Sequence, residues 1–144
     1  MKKLLNIELN ENNVSIAVLL LRLGVGIMML VHGIPKLYML FSGDIQFPIV
    51  MGMSATFSLV LTVVAEVLCS ILLLIGLFTR IAAIPLIITM LVAVLMIHGS
   101  DPYAIKELGL FYLLAYVVLL ILGSGKYSFD AILKNLDTQG AIEE

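Results

Sequence analysis

Four apolar stretches, each closed by glycine, proline or charged residues, frame the chain. The first runs from about Val14 to Phe41 and is long enough to cross a bilayer with some tilt. Pro35, near its far end, is expected to bend or end it. The following segment SGDIQFPIVMGMS, Ser42 to Ser54, mixes glycine and proline and reads as a loop. The second stretch runs from about Ala55 to Phe78, with Gly76-Leu77-Phe78-Thr79-Arg80 as a tight turn. The third runs from about Ile81 to His98, with Pro85 in its first turn, where proline is tolerated. Gly99-Ser100-Asp101-Pro102 closes it. The fourth runs from about Lys106 to Leu122 and stops at Gly123-Ser124-Gly125. Ser128 is then placed to cap a short helix. Phe129, Ile132, Leu133 and Leu136 give that helix an apolar stripe suited to a membrane surface. Beyond Asp137 the chain is polar and is expected to fray.

This pattern predicts an all-α integral membrane protein. A four-helix transmembrane bundle (14–123) lies between an N-terminal tail (1–13) and a C-terminal tail (124–144) with its amphipathic helix. His32-Gly33 and His98-Gly99 stand at matching places in the first and third stretches. They leave open two related two-helix units, or a coincidence in apolar sequence.

Composition sharpens the class. The 144 residues are 62% hydrophobic and 12% charged, against about 45–50% and about 25% in soluble domains. A net charge of −2 offers no basic patch, so nucleic acid is not an expected partner. The lone Cys69 excludes an internal disulfide and a Cys-x-x-Cys relay. Met1 to Asn13 carries no small-residue cleavage site and reads as a tail rather than a signal peptide. Lys2, Lys3, Arg80, Lys126 and Lys134 fall on one side of the spans, and Lys36 and Lys106 on the other. That bias puts both termini in the cytoplasm and the chain in the inner membrane as a multi-pass protein.

The candidate chemistry lies in five ionisable residues within or at the edges of the apolar stretches: Arg22, His32, Lys36, Glu66 and His98. A charge in hydrocarbon costs about 2.5–3.5 kcal/mol even on lenient scales, so such groups face a bundle interior and have partners. At a helical rise of about 1.5 Å per residue, His32 and His98 come level, roughly 27 and 26 Å from the cytoplasmic face. Lys36 lies one turn further out, and Asp101, Lys106 and Glu107 adjoin from the next helix. Arg22 and Glu66 fall at roughly 12 and 18 Å, within reach of an ion pair. Such a pair either fixes helix register or takes part in function. Arg22, Gly26, Met29, Gly33 and Lys36 share one face of the first helix. Its glycines allow close approach of a partner helix or a ligand. Ser58, Thr62, Glu66, Cys69 and Ser70 form one polar stripe on the second. Blander roles stand beside these. Lys36 snorkels, His98 caps the last carbonyls of its helix, Glu107 complements a helix dipole, and Tyr112 and Tyr116 pack.

The ordered set Arg22-Leu23-Gly24, His32-Gly33-Ile34-Pro35-Lys36-Leu37, Ala65-Glu66 and Leu74 to Arg80, followed by Lys106-Glu107-Leu108 and Gly123 to Asp130, resembles the DoxX family of small four-helix membrane proteins. The resemblance spans about Arg22 to Asp130. It implies kinship with the membrane subunit of a thiosulfate:quinone oxidoreductase, and with a membrane oxidoreductase complex linking thiol balance and superoxide defence. It also puts Arg22, His32, Lys36, Glu66 and Glu107 on the family's polar positions.

The resulting expectation is a membrane subunit or accessory of a redox system with a quinone-like or lipidic ligand. His32, Lys36 and Glu107 act as catalytic groups, and Arg22, Glu66 and His98 contact the ligand. No metal is expected. Partners are the bilayer and a redox-complex protein, and a homo-oligomer is compatible. Two alternatives stand beside it: a non-enzymatic lipid-binding, scaffold or transport-accessory protein, and a b-type haem protein with His32 and His98 as axial ligands.

Overall fold

A computed structural model describes residues 10–140. The expected tail at residues 1–9, with Lys2 and Lys3, and the last residues 141–144 lie outside the described residues. The chain forms α1 (Glu11–Ser42), α2 (Ala55–Ile75), α3 (Thr79–Ile97), α4 (Tyr103–Leu122) and α5 (Phe129–Gly140). The first four are long and apolar enough to cross a membrane. They alternate in direction. One end of the bundle therefore carries the start of α1 together with α5, and the other carries the loop 43–54 and the turn 98–102. These are called below the terminal end and the loop end.

Large apolar side chains such as Leu20, Ile27, Val31, Phe111 and Leu114 face outward, as lipid contact requires. The interior is narrow. Met29, Leu59, Leu73, Leu86, Tyr116 and Leu119 fill it. α1 buries Ser15, Val18, Arg22, Gly26, Met29 and Gly33, which is the face expected from sequence. A Cβ on Gly33 would lie 2.9 Å from Val67 and 3.0 Å from Glu66, so glycine sets the approach of α1 to α2 there. α4 packs broadly on α3 and only lightly on α1.

Element ends follow local rules. Asn10 caps α1 through Asn12 N–H, and Ser54 caps α2 through Phe57 N–H. Gly76, at φ 71°, ends α2, with the N–H groups of Gly76 and Leu77 donating to Leu72 O. Pro35 does not end α1, which runs through it to Ser42. The three residues Glu11 to Asn13 belong to α1 rather than to a tail, and α4 starts at Tyr103, three residues before the expected Lys106. α5 also continues past Asp137 to Gly140.

Two stretches depart from α geometry. Val64–Cys69 in α2 and Ala93–Ile97 in α3 are π-helical. In the second, His98 N–H donates to Ala93 O at 2.9 Å, a bond one residue longer than an α turn. Such turns occur mostly as single bulges, frequently at functional sites. One of these holds Glu66 and the other leads directly into His98.

Candidate functional site

Arg22 and Glu66 do not pair. Arg22 is buried, and its guanidinium donates to Leu73 O at 3.0 Å, to Tyr127 O at 3.0 Å and to Ser124 O. A helical side chain leans toward its own helix N-terminus, so Arg22 reaches toward the terminal end and away from Glu66. Register adds to this. Arg22 lies opposite Leu73, in the last turn of α2, where carbonyls lack intrahelical partners and the dipole is negative.

The segment after α4 closes this end. Asp130 accepts from Phe78 N–H at 2.8 Å and Thr79 N–H at 3.4 Å, capping α3, while its own N–H donates to Gly76 O. Arg80 donates to Ile121 O at 3.0 Å. Lys126 reaches Glu11 and Asn12, each at 3.1 Å. Arg22 and Asp130 thus tie α1, the α2–α3 turn and the C-terminal segment together.

At the loop end the same leaning carries Lys36 inward. Its ammonium donates to both carboxylate oxygens of Glu66, at 2.5 and 2.6 Å. Glu66 is buried, at 3% exposure, and Lys36 is part-exposed, at 29%. Lys36 is therefore not a snorkelling residue. Beside this pair lies a cavity of about 190 Å3, walled by α1, α2, α3 and α4. His32, Lys36, Glu66, His98 and Lys106 all line it, together with Tyr112.

The polar groups around the cavity are differently engaged. His98 Nδ1 lies 2.7 Å from Asp101 Oδ2, which leaves Nε2 as the free ring nitrogen. His98 is thus tied to a carboxylate rather than to helix carbonyls. Lys106 donates to Gly99 O at 2.6 Å and holds the α3–α4 turn. His32 has no hydrogen-bond partner among the described residues. Its ring meets Tyr112 edge-on, with centroids 6.0 Å apart and planes at 89°. Tyr112 in turn stacks on Tyr116 at 6.0 Å and 17°. Both phenol hydroxyls are buried without a partner among the described residues, unusual for donors in an interior.

Two expected site residues are left out by the fold: Arg22, expected to contact the ligand, is held at the terminal end, and Glu107 points away from the cavity. Glu107 is exposed and does not line the cavity. Ile105, Leu108, Gly109 and Tyr112 form the α4 face toward the cavity, and a turn of about 100° per residue puts Glu107 on the opposite side.

A family model, DoxX, matches residues 17–99, more than half of the chain. The chain belongs to the DoxX family. No curated protein and no solved structure matches it.

Within this DoxX chain the matched range holds Arg22, His32, Lys36, Glu66 and His98, together with both π turns. α4, with Lys106 and Tyr112, and the Asp130 segment lie beyond it. The two histidines line one cavity, but in different settings. His32 sits inside α1, whereas His98 follows the last turn of α3. Sequence reasoning missed three features of the site: the Lys36–Glu66 partnership, Lys106 in place of Glu107, and the π turns. The lean of side chains toward the helix N-terminus was the available signal for the first. The helical phase of Tyr112 and Tyr116 was the available signal for the second.

Proposed function

We propose that this DoxX protein is a membrane subunit or accessory of a quinone-linked redox system, holding the polar ring of a quinone-like molecule in the loop-end cavity. The observation that carries the reading is His32. It lines a cavity shared with an ion pair, a carboxylate-bound histidine and a lysine, and it is itself exposed with no hydrogen-bond partner among the described residues, so its ring nitrogens are accessible to a ligand. At about 190 Å3 the cavity is below the roughly 300–1,000 Å3 of enclosed ligand sites, so it suits one ring. A haem held by His32 and His98 together would need more room.

In this reading His32 hydrogen-bonds a ring oxygen and exchanges a proton with it, which imidazole does near neutral pH. The Glu66 carboxylate, held by Lys36 at the cavity wall, stands as a proton acceptor beside the ring. His98 and Asp101 connect the cavity to the aqueous loop end. Electrons pass to or from a partner protein or a second carrier. Both termini face the cytoplasm, consistent with Arg80, Lys126 and Lys134 at the terminal end, so the cavity opens in the outer half of the inner membrane.

The second reading, a lipid-binding or scaffold protein, is favoured by the closed Lys36–Glu66 pair, which is complete without a ligand. Quinone binding to the protein in nanodiscs separates the two. Saturable binding is expected, weakened about tenfold or more by His32→Ala, a loss equal to one charge-assisted hydrogen bond. Absence of saturable binding by a protein with intact helix content and melting behaviour would leave the scaffold reading.

A further inference from the structure

The cavity does not end at its polar groups. On the lipid-facing side a second, wholly apolar hollow of about 180 Å3 runs between α1 and α4, lined by Val25, Met28, Leu108, Phe111 and Tyr112. Leu108 and Tyr112 belong to both spaces. The hollow therefore adjoins the cavity across these two side chains. The direction of the offset is informative. On α1 the polar wall is formed by His32 and Lys36, and the apolar wall by Val25 and Met28, about two turns nearer the helix middle. On the antiparallel α4 the two spaces overlap at Leu108 and Tyr112, and only the cavity extends toward the loop end, to Ile105 and Lys106. Polar space thus lies toward the loop end, and apolar space toward the centre of the bundle.

That order matches a membrane amphiphile in its natural orientation, head near the interface and tail toward the bilayer centre. A water-soluble substrate would have no use for the inner half. The seam between α1 and α4 is also where the bundle is least tightly packed. A ligand with a tail must enter from the side, because its tail never leaves the hydrocarbon.

We propose that α1 and α4 form a lateral portal, and that the ligand is a single-tailed amphiphile whose ring lies beside His32 while its alkyl or isoprenoid tail lies along Val25, Met28 and Phe111. This rests on the quinone reading for the chemistry of the head, but not for the groove itself. The groove works by shape. A tail gains little by exchanging lipid for protein, since both are apolar. It must nevertheless have a path out of the cavity, and the groove is that path.

Two quinones of one ring, with and without a decyl tail, test it in nanodiscs by calorimetry. Val25→Phe, with Met28→Phe as a second variant should the first fail to fold, should weaken the decyl compound about tenfold. That is the scale of forcing a chain against an occupied surface. Binding of the tailless compound should stay unchanged. If the groove variants weaken both compounds equally, or neither, the portal is overturned. The cavity reading then still stands provided that His32→Ala weakens both. If wild type binds neither quinone, the quinone reading falls and location decides the portal. The chain has no tryptophan, so Val25→Trp is a single reporter in the groove and Leu114→Trp a lipid-facing control. A lipid brominated on its acyl chain should quench the groove tryptophan saturably and the control only in proportion to its amount. Proportional quenching at both positions would overturn the portal.

Discussion

Two cations on one face of α1 behave in opposite ways. Arg22 is surrounded by carbonyl acceptors from two other parts of the chain, with each of its nitrogens engaged. Lys36 has a single partner among the described residues, Glu66, and the pair borders a cavity. The Arg22 site is closed and uses backbone atoms, which cannot change charge. The Lys36 site is open and uses side chains that can. A charge in an apolar helix therefore marks function only where it meets space and titratable neighbours. Arg22 does not line the cavity, and its hydrogen bonds all go to backbone carbonyls. Its chemistry suits this, because a planar guanidinium donates in several directions while keeping its charge.

The largest effect should come from the closed end. Removing Arg22 takes a donor from three carbonyls, of which Leu73 O keeps the Gly76 N–H, and unties α1 from the C-terminal segment. Arg22→Met should cost about 3–5 kcal/mol or prevent accumulation of folded protein. Arg22→Lys should recover only part of this, since an ammonium cannot reproduce the spread of the guanidinium. Thermal unfolding in detergent reads both. Arg22→Met combined with Glu66→Gln should give additive losses, because the two groups share no partner. Strong coupling between them would restore the ion pair expected from sequence and break the comparison.

A smaller, coupled effect is expected at the open end. Lys36→Met or Glu66→Gln alone should cost about 1–3 kcal/mol. This is less than for a fully buried pair, because Lys36 is part-exposed and water screens it. The double variant should cost less than the sum by about 1 kcal/mol, the signature of a direct pair. Additive losses in this cycle, with coupling absent, would show that the pair does not persist in the membrane.

The bundle was largely legible in the residues. Apolar runs, turn glycines and the capping Ser128 are local signals, and each acts within a few residues. The shared face of Arg22, Gly26, Met29, Gly33 and Lys36 followed from helical phase alone. Partner choice did not follow, because depth along the bilayer was read from Cα positions. A long side chain moves its charge by more than a helical turn. Both cations of α1 lean toward the same helix end, so Arg22 left Glu66 behind and Lys36 took its place. The π turn around Glu66 had no visible signal. Nothing in Val64-Ala65-Glu66-Val67-Leu68-Cys69 distinguishes it from an ordinary buried helix. The closing role of Asp130 depends on a meeting with the α2–α3 turn, more than fifty residues away in sequence.

The smallest effect separates two neighbours on α4. Lys106 lines the cavity and donates to Gly99 O, while Glu107 is exposed on the far side of the helix. Glu107→Gln should leave quinone affinity unchanged and shift stability by no more than about 0.5 kcal/mol, as for an exposed substitution. Lys106→Met should weaken affinity about threefold to tenfold through the lost donor, and Lys106→Arg should restore much of it. The contrast isolates geometry from composition, since both residues are charged, adjacent and equally near the start of α4. If Glu107→Gln proved as damaging as Lys106→Met, the helix would be rotated from the face seen here. Proton transfer at the loop end would then run through Glu107 rather than through the cavity side of α4.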